Sequence, residues 1–270
     1  MPTLQRKDFA TYYEDTGSGD PVVFICGLSA DLQVWRFQGP ELSKTHRVIT
    51  LDNRGAGRSD APNEPYSIGQ MASDVLALLD HLKIDSAHMA GWSMGGVIAQ
   101  NLALEHPDRV KSLLLLSTFL APDAYFRAAV SNWVNIRRSN MPFEHVVRYI
   151  ARLVYSPALA NKPKAYEAFI QAMVANPYRQ TEHGVLRQAE ALLSFQAPTN
   201  LVSVRTPATV LVGQHDQFTP QYLSERLVEA ISRATLQVLP GAHSGFVEHP
   251  DEWTQAIQRA LSAASAPGAA

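Results

Sequence analysis

The six residues from Gly91 to Gly96 constrain the fold of this chain more than any other stretch. They read Gly-Trp-Ser-Met-Gly-Gly, so that Ser93 has a glycine two positions before it and another two positions after it. A segment with strand character precedes the motif, and a helix-forming segment, residues 97–104, follows it. Bulky neighbours would clash on such a tight strand-to-helix turn. The pattern therefore predicts a nucleophile elbow that presents the Ser93 hydroxyl at the edge of a sheet.

Short apolar segments that alternate with helical segments make up most of the remaining chain. Continuous apolar runs are typical of strands covered on both faces. Such runs occupy residues 21–26, 47–52, 110–117, 208–213 and 235–240. The alternation predicts a mainly parallel sheet flanked by helices, in which ligands bind beyond the carboxyl ends of the strands.

Residues 121–205 interrupt this alternation. The segment is rich in helix formers with amphipathic spacing, and several prolines divide it. We interpret it as a helical cap inserted between two sheet strands. Residues 1–120 and 206–270 then form the core domain.

Two later loops supply candidate partners for Ser93. A serine hydroxyl is a weak nucleophile that needs a general base and a third group to orient that base. Asp216 follows the predicted strand that ends at Gly213, and His243 follows the one that ends at Pro240. Because these strands are expected to end at the same edge, we predict that Ser93, His243 and Asp216 converge as a catalytic triad.

Acyl transfer also needs two backbone N–H groups that bind the negative charge on the attacked oxygen. The sequence predicts that Met94, directly after the nucleophile, supplies one of them. Leu28, in the loop after the apolar run 21–26, is predicted to supply the other. Cys26 ends that run and is interpreted as a small buried residue rather than as a nucleophile.

With these residues, the chain resembles the α/β-hydrolase superfamily along nearly its whole length. The resemblance includes the Asp-Asn-Arg-Gly-Ala-Gly-Arg-Ser segment of residues 52–59, Gly-Ala-His at 241–243 and His-Pro at 249–250. It is greatest toward small carboxylesterases, enol-lactonases, acyl-homoserine lactonases and cofactor-free haloperoxidases. One departure is that these proteins usually carry His-Gly where this chain has Cys-Gly at 26–27. Ser93 argues against the members that use an aspartate nucleophile, namely epoxide hydrolases and haloalkane dehalogenases.

The resemblance implies a serine hydrolase that cleaves carboxylic esters or lactones, without a metal or an organic cofactor. Three alternatives stay open. The same triad could hydrolyse a carbon–carbon bond in a diketone-type substrate, or serve a haloperoxidase or perhydrolase type of reaction. A non-catalytic sensor of small molecules is the alternative from another class of protein.

Substrate choice is expected to depend on the cap. Trp133, Ile136, Arg137 and Arg138 fall within two turns of one predicted helix. An aromatic wall beside arginine could hold an acyl chain and an anionic head group. The competing interpretation is that Trp133 packs the cap and that the arginines face water.

Composition bounds the partners. The formal net charge is −2 and no long run of one sign occurs, so we expect neither a nucleic-acid partner nor a membrane partner. The single cysteine excludes an intramolecular disulfide. The amino-terminal residues lack the apolar core of a signal peptide, and no apolar run approaches the length needed to span a bilayer, so we expect a soluble cytoplasmic protein. The resemblance implies that its partner is a small-molecule ester or lactone substrate. The sequence leaves the oligomeric state open.

Overall fold

The computed structural model describes residues 2–7, 9–196 and 204–265. The strands are β1 (Thr3–Gln5), β2 (Ala10–Gly17), β3 (Pro21–Ile25), β4 (Arg47–Leu51), β5 (Ala87–Trp92), β6 (Val110–Leu116), β7 (Ala208–Gly213) and β8 (Ala234–Leu239). The α-helices are α1 (Gln38–Leu42), α2 (Ile68–His81), α3 (Met94–Glu105), α4 (Ala124–Arg138), α5 (Phe143–Val154), α6 (Pro157–Ala160), α7 (Pro163–Val174), α8 (Glu182–Ser194), α9 (Gln221–Ala230), α10 (Gly245–Glu248) and α11 (Pro250–Ala264).

The described strands form one eight-stranded sheet in the order β1-β2-β4-β3-β5-β6-β7-β8. Every pairing from β4 to β8 is parallel, whereas β1 and β2 pair antiparallel at one edge. This confirms the predicted mainly parallel sheet with flanking helices. The short polar strand β1 was not predicted, because its residues lack an apolar pattern and pair only along β2.

Two apolar cores cover the two faces of the sheet, and strand β3 shows how the sequence divides between them. Val23 and Ile25 belong to the cluster that also contains residues of α2 and α3. Val22 and Phe24 belong to the cluster that contains residues of α11. Successive side chains of a strand point to opposite faces, so a continuous apolar run places one residue in each core alternately.

In the described part of the chain, five helices, α4 to α8, lie between β6 and β7, where the sequence predicts the cap. Their apolar side chains, among them Val130, Val147 and Ile150, join the core cluster that also packs against α3. Residues 197–203 of the predicted segment 121–205 lie outside the described residues. Over the part of the chain that is described, no helix combines the length and apolar character needed to cross a bilayer.

Candidate active site

Ser93 occupies a strained turn between β5 and α3. Its backbone angles are φ +52° and ψ −116°, in a region that residues with a side chain rarely adopt. The neighbouring backbone is tightly packed. A Cβ added to Gly91 would lie 2.3 Å from the Gly95 carbonyl oxygen, and one added to Gly95 would lie 2.1 Å from the Ile25 carbonyl oxygen. Only glycine fits at both positions, which is the steric requirement that the sequence pattern expresses.

Hydrogen bonds to neighbouring segments hold the turn in place. The Ser93 N–H donates to the Leu116 carbonyl oxygen at 2.9 Å, which ties the turn to the end of β6. The Thr118 hydroxyl donates to the Ser93 carbonyl oxygen at 2.7 Å. Such anchoring is needed, because an isolated turn would relax out of this backbone conformation.

Asp216 and His243 meet beyond the ends of β7 and β8. His243 Nδ1 lies 3.0 Å from Asp216 Oδ2, and both side chains are buried. The carboxylate is fixed from the other side, since Asp216 Oδ1 accepts the N–H groups of Phe218 at 2.9 Å and Thr219 at 2.8 Å. An aspartate held this way favours the tautomer of His243 that carries its proton on Nδ1 and leaves Nε2 as the basic nitrogen.

Contacts with Trp92, the residue before Ser93 in the chain, hold His243 beside the nucleophile elbow. The Trp92 indole Nε1–H donates to the His243 carbonyl oxygen at 2.9 Å, and the two ring centroids lie 5.3 Å apart. Over the described residues, no hydrogen bond joins the Ser93 hydroxyl to His243. Hydrogen bonds between a nucleophile and its base are often long without substrate and shorten when substrate binds.

Thr219 is a site residue that the sequence reasoning missed. Its hydroxyl lies 2.8 Å from Asp216 Oδ2 and 3.1 Å from His243 Nδ1, and its side chain is fully buried. The available signal was a hydroxyl residue three positions after the candidate acid. That spacing lets the side chain return to the carboxylate within one turn of the loop.

The N–H groups of Met94 and Leu28 are the two groups predicted to bind the oxyanion. In the described loops and turns, neither of them donates a hydrogen bond to a backbone carbonyl oxygen. Met94 is the first residue of α3, where a helix has no internal acceptor for an N–H group. Leu28 lies in the buried loop after β3, at the same end of the sheet.

The loop that carries Leu28 is fixed by two side chains from elsewhere in the chain. Asn53 Nδ2 donates to the Cys26 carbonyl oxygen at 2.8 Å, and the Ser29 N–H donates to Gln188 Oε1 at 3.1 Å. Ser29 has a positive φ of 65°, so the loop makes a sharp turn directly after Leu28. Asn53 belongs to the segment 52–59 that the sequence singled out. Gln188 gave no signal, since it lies on α8, far away in the sequence.

Buried groups beside this loop are not candidates for nucleophilic or metal chemistry. Burial raises the pKa of the Cys26 thiol well above its ordinary value, and its sulfur contacts the Leu51 carbonyl oxygen at 3.6 Å. Burial also raises the pKa of Asp52, although its carboxylate accepts the N–H groups of Leu32 at 2.7 Å and Arg58 at 2.8 Å. These contacts give Cys26 a packing role and Asp52 a role in ordering the loops around the site.

A cavity of about 400 Å³ lies between these loops and the inserted helices. Its wall includes Trp92 and Ser244, which are the chain neighbours of Ser93 and His243. The rest of the wall comes mainly from the loop that carries Leu28 and from apolar residues of α5 and α7. Apolar clefts of this size next to polar groups are typical of sites for small molecules.

The predicted cap residues divide between the cavity and other surroundings. Trp133 and Arg137 line the cavity, and Trp133 also packs its ring against Phe218, with centroids 5.7 Å apart. Residues four positions apart share one face of a helix, which explains why this pair points the same way. Ile136 packs partly buried against the core, and Arg138 is exposed; neither lies in the cavity wall.

Comparison with known proteins shows that this chain is similar to hydrolases. A family described as the alpha/beta hydrolase fold matches residues 20–250. The chain is 32% identical to a protein of Azorhizobium caulinodans named "Putative carbamate hydrolase RutD", covering 95% of this chain and 97% of the relative. It is 28% identical to 3-oxoadipate enol-lactonase 2 of Acinetobacter baylyi, covering 96% of each chain. The structure of a thermophilic esterase from Thermogutta terrifontis superposes with a TM-score of 0.86 at 27% identity, covering 98% of this chain and 100% of that one.

Proposed function

The chain belongs to the α/β-hydrolase family, and from that premise we propose that it is a serine hydrolase that cleaves carboxylic esters, lactones included. The observation that carries the proposal is the strained Ser93 turn at the same sheet edge as the hydrogen-bonded His243–Asp216 pair. The hydrolase names of its relatives support the reaction class.

In the proposed acylation step, His243 Nε2 removes the proton from the Ser93 hydroxyl as Ser93 Oγ attacks the substrate carbonyl carbon. Asp216 orients the imidazole and stabilises the imidazolium that forms. The N–H groups of Leu28 and Met94 stabilise the negative charge on the carbonyl oxygen. The tetrahedral intermediate then collapses, and His243 returns the proton to the departing alkoxide.

Deacylation repeats these roles with water as the nucleophile. His243 removes a proton from the water as its oxygen attacks the acyl-enzyme carbonyl, and then reprotonates Ser93 Oγ as the acid is released. With a lactone, the alcohol stays attached to the acyl group, so one hydroxy acid leaves the site. The buried neutral Cys26 takes no part in either step.

Hydrolysis of a carbamate is a second candidate function, favoured by the name of the relative at 32% identity. The attack on the carbonyl is the same. The difference is that the departing alkoxide, protonated by His243, leaves a carbamoyl group on Ser93. Water attacks this group more slowly than an acyl group because its nitrogen donates electron density to the carbonyl, and the carbamic acid released separates into an amine and carbon dioxide.

Turnover of a small panel of substrates tests the proposal. We expect the enzyme to hydrolyse 4-nitrophenyl acetate, 4-nitrophenyl butyrate and a six-membered lactone, and Ser93→Ala to lower kcat by roughly a millionfold. Ser73→Ala, a change on the exposed face of α2, is the matched control and should keep full activity. A simple alkyl carbamate in the same panel distinguishes carbamate hydrolysis from ester and lactone hydrolysis.

Five results would contradict the ester and lactone proposal. Turnover of the carbamate alone would favour the second candidate. Unchanged ester hydrolysis by Ser93→Ala would remove Ser93 from the mechanism. Tight binding of esters by the unaltered protein without turnover would indicate a sensor. Cleavage of a diketone with no ester cleavage would indicate the carbon–carbon bond hydrolase, and activity that requires peroxide would indicate the perhydrolase type.

A further inference from the structure

The charged residues in the cavity wall are unbalanced. Among the described residues they comprise three arginines, Arg36, Arg137 and Arg179, and one carboxylate, Asp31. A surplus of positive charge around a cleft whose other walls are mainly apolar attracts anions, because low-dielectric walls strengthen the field inside the cleft.

Asp31 does not neutralise these arginines. Its Oδ1 accepts the Gln33 N–H at 2.8 Å, and its Oδ2 accepts from Asn176 Nδ2 at 2.6 Å. Within the described ranges, no ion pair joins any of the three arginines to a carboxylate. Asp31 is therefore engaged in fixing the loop of Leu28 to the segment between α7 and α8.

Arg137 and Arg179 lie close together in the cavity wall. Their guanidinium carbons lie 5.4 Å and 4.7 Å from the centroid of the Phe143 ring, so one aromatic side chain contacts both cations. Arg36 and Arg179 are both exposed, but Arg36 differs in its aromatic partner, since its guanidinium lies over Phe37 at 4.6 Å. Arg137 and Arg179 thus form a local positive site to which Arg36 does not belong.

Arg137 is half-buried with few acceptors around it. Its Nη2 donates to the Gln180 carbonyl oxygen at 3.3 Å, while its Nε is covered and has no partner among the described residues. Burial lowers the pKa of Arg137, and the charge of the exposed Glu182 acts in the opposite direction without forming an ion pair with it. A half-buried cation without a bonded anion is costly unless another group compensates it.

The side chain of Gln180 adds an unpaired amide beside this pair. Both its Oε1 and its Nε2 are covered and have no hydrogen-bond partner over the described residues. Buried side-chain amides are normally hydrogen-bonded. An amide left without partners next to two unpaired guanidinium groups is a donor available to an anion.

We propose that Arg137 and Arg179, together with the Gln180 amide, bind a carboxylate of the substrate remote from the carbonyl that Ser93 attacks. The substrates are then esters or lactones of acids that carry a second, free carboxylate. A planar guanidinium matches a carboxylate with two parallel hydrogen bonds. The apolar side chains of Val146, Val147 and Ile150, which line the cavity, would contact the carbon chain between the two groups. This inference rests on the proposed ester and lactone hydrolysis.

A matched pair of substrates isolates the effect of the remote charge. Mono-4-nitrophenyl adipate carries a free carboxylate, and its methyl ester has nearly the same length without the charge. Shorter and longer diacid monoesters, from succinate to suberate, show which chain length reaches the arginines. The quantity compared is kcat/KM for the acid divided by kcat/KM for its methyl ester, at the best chain length.

We expect the unaltered enzyme to prefer the acid by about tenfold or more, the scale of one charge-assisted hydrogen bond. Arg137→Gln and Arg179→Gln should each reduce that preference several-fold, because they lower kcat/KM for the acid more than kcat/KM for its methyl ester. Arg259→Gln alters an exposed arginine of α11 outside the cavity wall and should leave the preference unchanged.

Two results would overturn the inference while ester hydrolysis itself holds. One is equal kcat/KM for acid and methyl ester in the unaltered enzyme at every chain length. The other is an equal loss for both substrates in Arg137→Gln, which would assign that side chain to packing alone. Calorimetric binding of adipate to the Ser93→Ala protein provides a readout that needs no turnover. Binding weakened by Arg137→Gln would support the carboxylate site even where no ester is hydrolysed, and undetectable binding would contradict it.

Discussion

The carboxylate of Asp216 is the most densely hydrogen-bonded group of the candidate site. Two backbone N–H groups donate to Oδ1, and the Thr219 hydroxyl and His243 Nδ1 lie within hydrogen-bond distance of Oδ2. Each of these hydrogen bonds restricts rotation of the carboxylate. The orientation of the His243 imidazole is thereby determined by residues within one short loop after β7.

Thr219 acts as a positioning residue in this arrangement. We expect Thr219→Val, which removes the hydroxyl and keeps the shape, to lower kcat about tenfold with little change in KM, because one buried hydrogen bond to a charged group is lost. Thr219→Ser keeps the hydroxyl and should restore most of the rate. Steady-state kinetics on 4-nitrophenyl butyrate measures both values. A valine variant with full kcat, or a serine variant as slow as the valine variant, would contradict this role.

At the scale of elements, the candidate catalytic residues all lie beyond the carboxyl ends of parallel strands, at the same end of the sheet. Leu28, Ser93, Asp216 and His243 follow β3, β5, β7 and β8 respectively. This convergence could be predicted from the sequence, because apolar runs locate the strands and the residues after each run lie at their carboxyl ends. Gln188 could not be predicted, because its contacts with the Leu28 loop depend on how α8 packs.

A second buried histidine lies near the amino-terminal ends of the parallel strands, opposite the candidate site, and is not part of that site. His88 Nδ1 lies 2.7 Å from the Ser112 hydroxyl, and Nε2 lies 3.1 Å from Asp20 Oδ2. Burial lowers the pKa of His88, against the opposing effect of Asp20 and together with the charge of Lys111. The folded protein therefore holds His88 neutral under conditions in which the unfolded chain begins to bind a proton.

This difference predicts how stability depends on pH. The unfolded histidine has a pKa of about 6.5, so the stabilisation by neutral His88 is fully present above about pH 6.5 and is lost as the pH falls further. We expect the free energy of unfolding in urea to decrease between about pH 8 and about pH 5. The free energy of unfolding of the His88→Asn protein should decrease less over the same interval, whatever its value at pH 8.

The matched control is His106→Asn, since His106 is exposed. It should leave the pH dependence of unfolding unchanged. A His88→Asn protein whose unfolding free energy falls with pH as steeply as that of the unaltered protein would contradict a neutral buried His88.

At the scale of the whole molecule, the sheet with its two cores supports the elbow, and the inserted helices form much of the cavity wall. The sequence predicted that Trp133 and Arg137 lie within two turns of one helix, but it could not predict which groups pack against them. Trp133 packs against Phe218 and also lines the cavity. Its side chain therefore fits both interpretations, namely packing and a wall for the substrate. The contact of Asn176 with Asp31 and that of Gln180 with Arg137 form only when the segment between α7 and α8 packs against the Leu28 loop and α4.

Covalent labelling tests most directly whether Ser93 is the nucleophile. The protein is inactivated with an alkyl fluorophosphonate, digested with trypsin and analysed by mass spectrometry. Cleavage after Lys83 and Arg109 gives a peptide of residues 84–109, which also contains Ser86, so fragmentation must locate the adduct. We predict one phosphonyl group per chain, on Ser93, in proportion to the activity lost, and none in the Ser93→Ala protein. Loss of activity with the adduct on another residue, or full labelling of Ser93 with ester hydrolysis unaffected, would contradict the proposed mechanism.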